Sequence, residues 1–291
     1  MFCACSITGK SDIYKMRIYK THIDKMRSDK SHCGKTALCG VLALLLVACN
    51  GNDVPERHAP NDPQLLGYTT VALDANKNIV RAIEAPVGNM VADAMVERLS
   101  TLGFVMDAAC INGGDLRFNV ELRPDGIIPP GELRRGDIDN LLPFPEKIVV
   151  LQITGAQLRS AFERSVAQLP SDRPKGAYLQ VSQTVRVLFD LSKPAQIIDE
   201  VADPDVIVSE GQRVVALSLR GIAVQDNATY TVGFTEFISV GGDGHVGLSQ
   251  VPAERRSNSN ILLADMVADH IQLYTPMSPH SEGRIVYVTA P

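Results

Sequence analysis

The chain contains 291 residues, which is long enough for one large domain or two small ones. Hydrophobic residues make up 45% of it and charged residues 21%, as in an ordinary soluble globular protein. The net charge is −5, and it falls to about −10 when the first 48 residues, with eight basic and three acidic residues, are set aside. This acidic excess argues against a protein that binds the phosphate backbone of nucleic acid.

The first 48 residues differ from the rest of the chain in charge and hydropathy. Lysines and arginines come first, and the apolar stretch 37–48 that follows is too short to persist as a membrane-spanning anchor. Such a layout is typical of an export signal. The stretch leads into Cys49 through the letters LVAC, which are similar to a bacterial lipobox. That resemblance implies lipidation of Cys49 and, since Asn50 is not an aspartate, a place on the outer membrane facing the periplasm.

Two alternatives stay open for this segment. An ordinary signal peptide with a coincidental cysteine is one. The other concerns the start, because translation from Met26 would give a signal of normal length and leave 1–25 outside the protein. Beyond Cys49 the sequence has a single cysteine, Cys110, inside an apolar run; we predict it to be buried and unbridged.

Composition and periodicity then divide the chain into predicted elements. Residues 49–66 are rich in Asn, Asp and Pro, which predicts a flexible tether before a single domain at 67–291. Strands are predicted over 68–73, 148–153, 178–181, 184–189, 213–219, 229–234 and 284–288. Helices are predicted from Val87, from Thr154 with that residue as N-cap, and over 138–142 and 260–273, and loops over 118–134 and 169–176. Strict alternation of strands and helices is lacking, so we predict one α/β domain with a mixed, α+β-like sheet.

One short stretch, INGGDLR at 111–117, combines glycines with polar side chains. Gly113 and Gly114 follow Asn112 directly, and they permit a tight turn and a close approach of a ligand to the backbone. Asn112 offers donors and an acceptor, and Arg117 offers a planar fork of donors. The residues alone leave two interpretations open, a bare strand-to-helix turn or one wall of a site for a polar ligand.

Six motifs occur in the same order as in a known family. They are RAIEAPVGNMVADAM (81–95), INGGDLR (111–117), LLPFPEKIVVLQITGAQL (141–158), YLQVS (178–182), FISVGGDG (237–244) and EGRI (282–285). Through them the sequence resembles the C-terminal domain of the 5′-nucleotidase family over residues 67–288. The resemblance implies the fold of that domain and a role in holding the nucleoside part of a substrate. In that family, an N-terminal metallophosphoesterase domain with two metal ions performs the hydrolysis.

The resemblance also implies which residues would contact the base. Phe144 and Phe237 match two phenylalanines that sandwich it, and Asn112 matches an asparagine that hydrogen-bonds to it. Aromatic rings suit this role because stacking on a base is worth about 1–3 kcal/mol.

The ribose and phosphate side of the expected site is polar. Arg81 and Arg117 match arginines that reach the ribose or the phosphate, and Asp243 matches an aspartate that accepts hydrogen bonds from the ribose hydroxyls. The loops that carry these side chains also contribute glycines to the expected site, namely Gly113, Gly114, Gly241 and Gly242.

Three residues depart from the family pattern: Gln183, which follows YLQVS where glycine is usual, and two residues beside the predicted binding positions. Pro145 stands where the family often has glycine, and it is expected to stiffen the loop next to Phe144. Asp115 stands where glycine is common, and it adds a negative charge near a site expected to meet phosphate. Asp115 therefore argues against a highly charged nucleotide.

Of the metal-binding motifs of the family's catalytic domain, GDxxD and GNH[ED] are missing from this sequence, and the DxH spacing occurs only once, at Asp243-Gly244-His245. After residue 48 the histidines are His58, His245, His270 and His280, and only His245 has that spacing, without the further ligands that a dinuclear site needs. His245 is close to Asp243 and is expected to be a rim residue rather than a metal ligand. We expect no metal and no cofactor in this chain, and divalent metals only in a separate catalytic partner.

These observations lead to a main hypothesis with alternatives. The chain is expected to bind a nucleoside or nucleotide and to take part in nucleotide hydrolysis with a separately encoded metallophosphatase. It would be attached to the membrane by its lipid and would not bind nucleic acid. The alternatives are a non-catalytic nucleoside-binding lipoprotein, a degenerate structural domain of the envelope and, least favoured, a self-sufficient nucleotidase.

Overall fold

The computed structural model describes residues 62–118, 123–202 and 205–289, which all belong to one unit of the chain, Arg57–Pro291. The predicted signal segment, the alternative start at Met26, Cys49 and nearly all of the predicted tether lie outside the described residues. Among the helices in these ranges, none is both long enough and apolar enough to cross a membrane.

The described residues form strands and helices in a mixed order. The strands are β1 (Leu65–Thr69), β2 (Leu73–Asp74), β3 (Ala108–Asn112), β4 (Ile127–Ile128), β5 (Gly131–Arg134), β6 (Lys147–Thr154), β7 (Leu179–Val181), β8 (Val185–Phe189), β9 (Ile197–Asp199), β10 (Val206–Ser209), β11 (Val214–Leu219), β12 (Ile222–Ala223), β13 (Thr229–Thr235), β14 (Arg256–Leu262) and β15 (Ile285–Tyr287). The helices are α1 (Lys77–Val80), α2 (Pro86–Thr101), α3 (Arg135–Leu141), α4 (Gly155–Val166), α5 (Glu236–Ser239), α6 (Val246–Ser249) and α7 (Leu263–Tyr274).

A five-stranded mixed sheet, in the order β14-β6-β13-β3-β7, lies at the centre of the domain. Strand β13 is parallel to β3, whereas β6 is antiparallel to β13 and β7 is antiparallel to β3. The carboxyl ends of β3 and β13 and the amino ends of β6 and β7 therefore lie at one edge of the sheet. The segments next to Asn112, Lys147, Leu179 and Thr235 meet at this edge, although they are far apart in sequence. The mixed sheet confirms the predicted fold class.

Apolar faces of two helices close the core around this sheet. Helix α2 packs against β3, β7 and α7, and the apolar residues predicted to share one of its faces are all buried, namely Met90, Val91, Ala94, Met95 and Leu99. Pro86 occupies the first turn of α2, where its missing N–H costs nothing. In β3, Cys110 is buried without a disulfide, as predicted, and burial raises the pKa of its thiol. Helix α4 packs against β6 and β11, and the predicted N-cap Thr154 is confirmed, since its hydroxyl accepts the Gln157 N–H at 3.2 Å.

A buried arginine joins three of the sequence motifs. Arg284 is only 2% exposed, and its guanidinium donates to both carboxylate oxygens of Asp93 at 2.8 and 2.7 Å. It also donates to the Val181 carbonyl at 2.9 Å and to Glu282 at 3.2 Å. Burial by itself lowers the pKa of Arg284, but the hydrogen bonds and charges of Asp93 and Glu282 outweigh it and raise the pKa overall. The motifs at 81–95, 178–182 and 282–285 thus have a structural role here.

A second buried charge, Glu84, fixes the same C-terminal segment. Its carboxylate accepts the backbone N–H groups of Glu282 at 2.6 Å and Arg284 at 2.8 Å, and the side-chain amide of Asn89 at 2.7 Å. Donors of this kind replace the hydration that a carboxylate loses on burial.

Some predicted elements near the N-terminus of the domain differ from the structure. The predicted strand 68–73 is divided into β1 and β2, and β1 begins at Leu65, two residues before the predicted start of the domain. The predicted loop 118–134 contains the short strands β4 and β5, and α3 begins at Arg135 rather than at 138. These strands form two-stranded sheets, β1 with β5 and β2 with β4. Whether such short segments become strands depends on pairing with a distant partner rather than on the local sequence pattern.

A second difference lies at the predicted helix 260–273. The helix begins at Leu263, because Arg256–Leu262 pairs with β6 as an edge strand of the central sheet. Its apolar residues fit a helix and a strand equally well over such a short overlap. The sequence prediction also missed α1, β9, β10 and β12, which have two to four residues each.

The Arg284 network makes a testable prediction for stability. R284A removes the buried guanidinium and leaves the Asp93 carboxylate, whose side chain is 22% exposed, without its bidentate partner. It should lower the free energy of unfolding by about 2 kcal/mol, measured by urea denaturation. R159A, which removes an exposed ion pair with Asp226 at 3.2 Å, is the matched control and should cost less than about 1 kcal/mol. Equal losses in the two variants would contradict a structural role for the buried network.

Candidate functional site

Asn112 and Asp243, 131 positions apart in sequence, form a hydrogen bond at the edge of the central sheet. The Asn112 Nδ2 atom donates to Asp243 Oδ2 at 3.0 Å, and the Thr235 hydroxyl donates to Asn112 Oδ1 at 3.5 Å. A carboxylate only accepts hydrogen bonds, so Asp243 fixes which end of the Asn112 amide faces it. Asn112 and Thr235 are buried and Asp243 is partly exposed. Asp243 is therefore the member of this group that a ligand could reach.

This contact requires three backbone segments to approach one another closely. A Cβ atom on Gly176 would lie 2.5 Å from Asp243 Oδ2, and one on Gly114 would lie 3.0 Å from the same oxygen. Gly113 is equally constrained, because a Cβ atom there would lie 2.2 Å from the Val80 carbonyl oxygen. The glycines of INGGDLR are thus required by packing around the pair. Gly176, at the end of the predicted loop 169–176, was missed as a site residue.

The second glycine-rich loop, 241–244, presents Asp243 in a left-handed conformation. Asp243 has φ of +54° and Gly241 has φ of +98°. Aspartate tolerates this region better than most residues with a Cβ atom. The Asp243 carbonyl accepts a hydrogen bond at 2.8 Å from Nε of Arg164, which is buried on α4. Burial lowers the pKa of Arg164, against the opposing charges of Glu200 and Asp243.

Arg81 lies beside the INGGDLR turn, and hydrogen bonds hold both its side chain and the backbone around it. Its Nε atom donates to the Gly113 carbonyl at 3.3 Å, and the residue follows α1 directly. The buried side chain of Gln180 donates to the carbonyls of Val80 at 3.0 Å and Ile83 at 2.7 Å, one on each side of Arg81. Gln180, within YLQVS, is a supporting residue that the sequence analysis did not single out.

Arg117 and Phe144 form a second pair. The Arg117 guanidinium carbon lies 4.5 Å from the centroid of the Phe144 ring, in cation–π geometry. Both residues are partly exposed, and the Arg117 N–H donates to the Leu141 carbonyl at 3.0 Å. The arginine predicted for the ribose or phosphate side therefore adjoins one of the two predicted stacking rings.

Phe237, the other predicted stacking residue, is only 4% exposed. Its ring lies against Gly242, since a Cβ atom there would come within 2.6 Å of the ring carbons. Its backbone N–H donates at 3.1 Å to the carboxylate of Glu146, a buried residue two positions after Phe144. Glu146 thus connects the segments that carry the two phenylalanines.

Pro145 and Asp115, the two departures from the family pattern beside the predicted binding residues, lie in different surroundings. Pro145 is exposed at the centre of a three-residue turn that the Glu146 N–H closes on the Phe144 carbonyl at 2.8 Å. A proline ring has the φ that such a turn needs. Asp115 is buried, and its N–H donates to the Asn112 carbonyl at 3.0 Å, so it forms part of the turn itself.

His245 is a buried residue, and the expectation that it lies on the rim of the site is wrong. It is 1% exposed, and its Nε2 atom lies 3.0 Å from the Ala177 carbonyl, which makes Nε2 the protonated nitrogen. Burial, aided by the nearby charge of Arg164, lowers the pKa of His245 to about 3, against the opposing effect of the Ala177 carbonyl. His245 therefore packs as a neutral side chain beneath the glycine-rich loop.

Within the described ranges, no group of three or more His, Cys, Asp or Glu side chains is placed to hold a metal ion. Two cavities, of about 320 and 540 Å³, lie elsewhere on the domain. The smaller adjoins α4, and the larger lies between α2 and the segment 274–284. Neither is lined by any of the six predicted binding residues, which instead form paired contacts at the sheet edge.

His245 gives a prediction for pH dependence. Below pH 6.5 the unfolded chain binds a proton at this histidine, whereas the folded chain does so only near pH 3. The free energy of unfolding should therefore fall as the pH is lowered through this window, by up to roughly 1.4 kcal/mol per pH unit from this residue alone. H245Q should show a shallower decline between pH 6.5 and 5 in urea denaturation. Parallel profiles for the two proteins would contradict the buried neutral state.

The chain is similar in sequence to several known proteins. The chain is 30% identical over 241 residues to the snake venom 5′-nucleotidase of Macrovipera lebetinus, covering 77% of this chain and 52% of that protein. It is 27% identical over 228 residues to the trifunctional nucleotide phosphoesterase of Bacillus subtilis, covering 78% of this chain and 14% of the other. The chain thus spans about half, or less, of the length of these relatives.

Solved structures and a family model point to the same domain. The structure of a 5′-nucleotidase precursor from Thermus thermophilus superposes with a TM-score of 0.66 and 28% identity, over 78% of this chain and 40% of that one. Haemophilus influenzae NAD nucleotidase has the same fold in the matched region, with a TM-score of 0.60 at 16% identity over 77% of this chain and 38% of that one. The family model described as 5′-nucleotidase, C-terminal domain, matches residues 66–250. The chain therefore belongs to the family of 5′-nucleotidase C-terminal domains.

Proposed function

We propose that this domain binds the nucleoside part of a nucleotide, and that it takes part in hydrolysis of nucleoside phosphates with a metallophosphatase supplied by a separate chain. The observation that carries the proposal is the Asn112–Asp243 pair at 3.0 Å, flanked by Arg81 and by the Arg117–Phe144 pair. The matched relatives are named as nucleotidases or nucleotide phosphoesterases, which supports a nucleotide as the ligand.

The chemistry of the pair suits a nucleoside. Asp243 is partly exposed, and a carboxylate can accept hydrogen bonds from two neighbouring ribose hydroxyls. Asn112 is buried and its amide already bonds to Asp243 and Thr235, so a base edge would have to replace one of these bonds to reach it. The Phe144 ring supplies an aromatic face, on which a base can replace or join the Arg117 guanidinium.

Catalysis is assigned to another chain on chemical grounds. Two-metal hydrolysis of a phosphate ester requires a set of histidine and carboxylate ligands. Of the family's motifs for them the sequence has only one DxH, Asp243-Gly244-His245, whose histidine is buried. This domain would contribute the orientation of the substrate, while the partner would supply the metals and the activated water. Asp115, buried in the INGGDLR turn, supports a nucleoside monophosphate over a more highly charged ligand.

Binding can be tested by isothermal titration with adenosine and AMP. F144A should weaken adenosine binding about tenfold, because it removes the stacking face. D243N should weaken it by a similar factor, since an amide replaces an acceptor-only group that faces hydroxyl donors. F104A, a partly buried phenylalanine that precedes β3 at the opposite edge of the sheet, is the matched control and should leave the affinity unchanged. If neither adenosine nor AMP binds, the proposal is rejected.

Partnership can be tested separately from binding. A metallophosphatase from the same organism that lacks this domain should co-purify with the chain and should release phosphate from AMP faster in its presence. The D243N variant should reduce that stimulation. Binding of adenosine without any stimulation would instead favour the non-catalytic nucleoside-binding lipoprotein.

We also propose that the protein is attached to the outer membrane through Cys49 and faces the periplasm. The lipobox-like letters LVAC support this, and they precede the tether. C49S should abolish incorporation of labelled fatty acid and release the protein into the soluble periplasmic fraction. Unchanged fractionation of C49S would contradict the lipid anchor.

A further inference from the structure

Helix α5, which carries Phe237 in its first turn, begins without the usual side-chain cap. Its N-cap residue is Thr235, a residue type that normally accepts a hydrogen bond from an N–H of the first turn. Here no such bond is made, and the Thr235 hydroxyl instead donates to Asn112 Oδ1 at 3.5 Å. The Thr235 hydroxyl thus bonds to the candidate binding site instead of capping α5. The N–H groups of the first turn therefore need an acceptor from another part of the chain.

Glu146 takes over the capping role from a distant part of the sequence. Its Oε2 atom accepts the Phe237 N–H at 3.1 Å, across 91 positions. The N-terminus of a helix favours a negative charge, and this N–H in turn compensates the Glu146 carboxylate, which is only 2% exposed. Glu146 is therefore a tertiary cap of α5.

The backbone of the same residue holds two further segments. The Glu146 N–H closes the turn at Pro145 on the Phe144 carbonyl at 2.8 Å. The Glu146 carbonyl accepts the N–H of Leu263, the first residue of α7, also at 2.8 Å. One residue thus connects the Phe144 turn, the start of the Phe237 helix and the start of α7, directly before β6 begins.

We infer that Glu146 is a positioning residue of the binding site, which sets Phe144 and Phe237 relative to each other and frees Thr235 to orient Asn112. This inference rests on the proposed nucleoside-binding function and names the residue that preorganises its aromatic part. It requires no contact between Glu146 and the ligand. Its effect should appear in the affinity for the base-bearing ligand beyond any effect on stability.

The test compares E146A, E146Q and E146D with the unaltered protein and with a matched control. The control is D107A, because Asp107 accepts the Thr231 N–H at 2.8 Å near the opposite end of β13, away from the site. The melting temperature and the adenosine Kd are measured for each full-length variant. Amide exchange at Phe237 is followed as a direct report on the cap.

E146A should weaken adenosine binding about tenfold and speed amide exchange at Phe237, because the N–H loses its acceptor. E146Q keeps the length and an acceptor oxygen and should stay within about threefold of the unaltered protein. D107A should lower the melting temperature but keep the Kd within about twofold, since it removes a carboxylate that accepts a strand N–H remote from the site. E146D keeps the charge but shortens the side chain, so it should resemble E146A and provides the test if E146A does not fold.

Three results would overturn the inference. The first is unchanged adenosine affinity in folded E146A, or in E146D if E146A does not fold. The second is an equal loss of affinity in D107A, which would make the effect one of general stability. The third is absence of adenosine binding by the unaltered protein, which rejects the proposed function and the positioning role with it. Measurement of the unaltered protein first therefore distinguishes failure of the function from failure of the inference.

Discussion

The hydrogen bond between Asn112 and Asp243 exists only because three glycine-bearing segments approach one another more closely than side chains permit. A Cβ atom on Gly176 would meet the Asp243 carboxylate at 2.5 Å, and one on Gly113 would meet the Val80 carbonyl at 2.2 Å. Strand order creates this approach, since β3 and β13 are parallel and end at the same edge. Everything proposed for binding depends on that edge, because its loops supply each of the predicted contact residues.

Buried charges connect distant segments of the domain, and each is compensated by a hydrogen-bonding partner rather than left unpaired in the apolar core. Glu84 accepts backbone N–H groups of the C-terminal segment, and Glu146 accepts the N–H of Phe237. Arg284 is neutralised by Asp93 in bidentate geometry. Such groups stabilise little by themselves, since desolvation offsets much of their attraction. Their effect is to fix the positions of the segments they join, because removing one partner leaves a buried charge without a hydrogen-bonding partner and displaces the segment that it held.

The site contains pairs of residues that form polar contacts with each other. Asn112 bonds to Asp243, and Arg117 lies over Phe144. A nucleoside would exchange these contacts for its own hydroxyls and base, so part of its binding energy would offset the contacts that are lost. Preorganisation of the phenylalanines by Glu146 would lower that cost. These contacts suit the proposed role, in which the domain would hold a nucleotide in position rather than hydrolyse it.

The sequence alone determined the fold class, the apolar faces of α2 and α4, the Thr154 cap and the buried, unbridged Cys110. These features depend on neighbours within one helical turn or one strand, so periodicity and composition report them. The order of strands in the central sheet is a tertiary property, and it alone decided which distant residues meet. It buried His245, which had been expected on the rim, and turned the Thr235 hydroxyl from capping α5 to binding Asn112. It also placed Glu146 where it caps α5 through the Phe237 N–H, 91 positions away, and no local sequence pattern could indicate this contact.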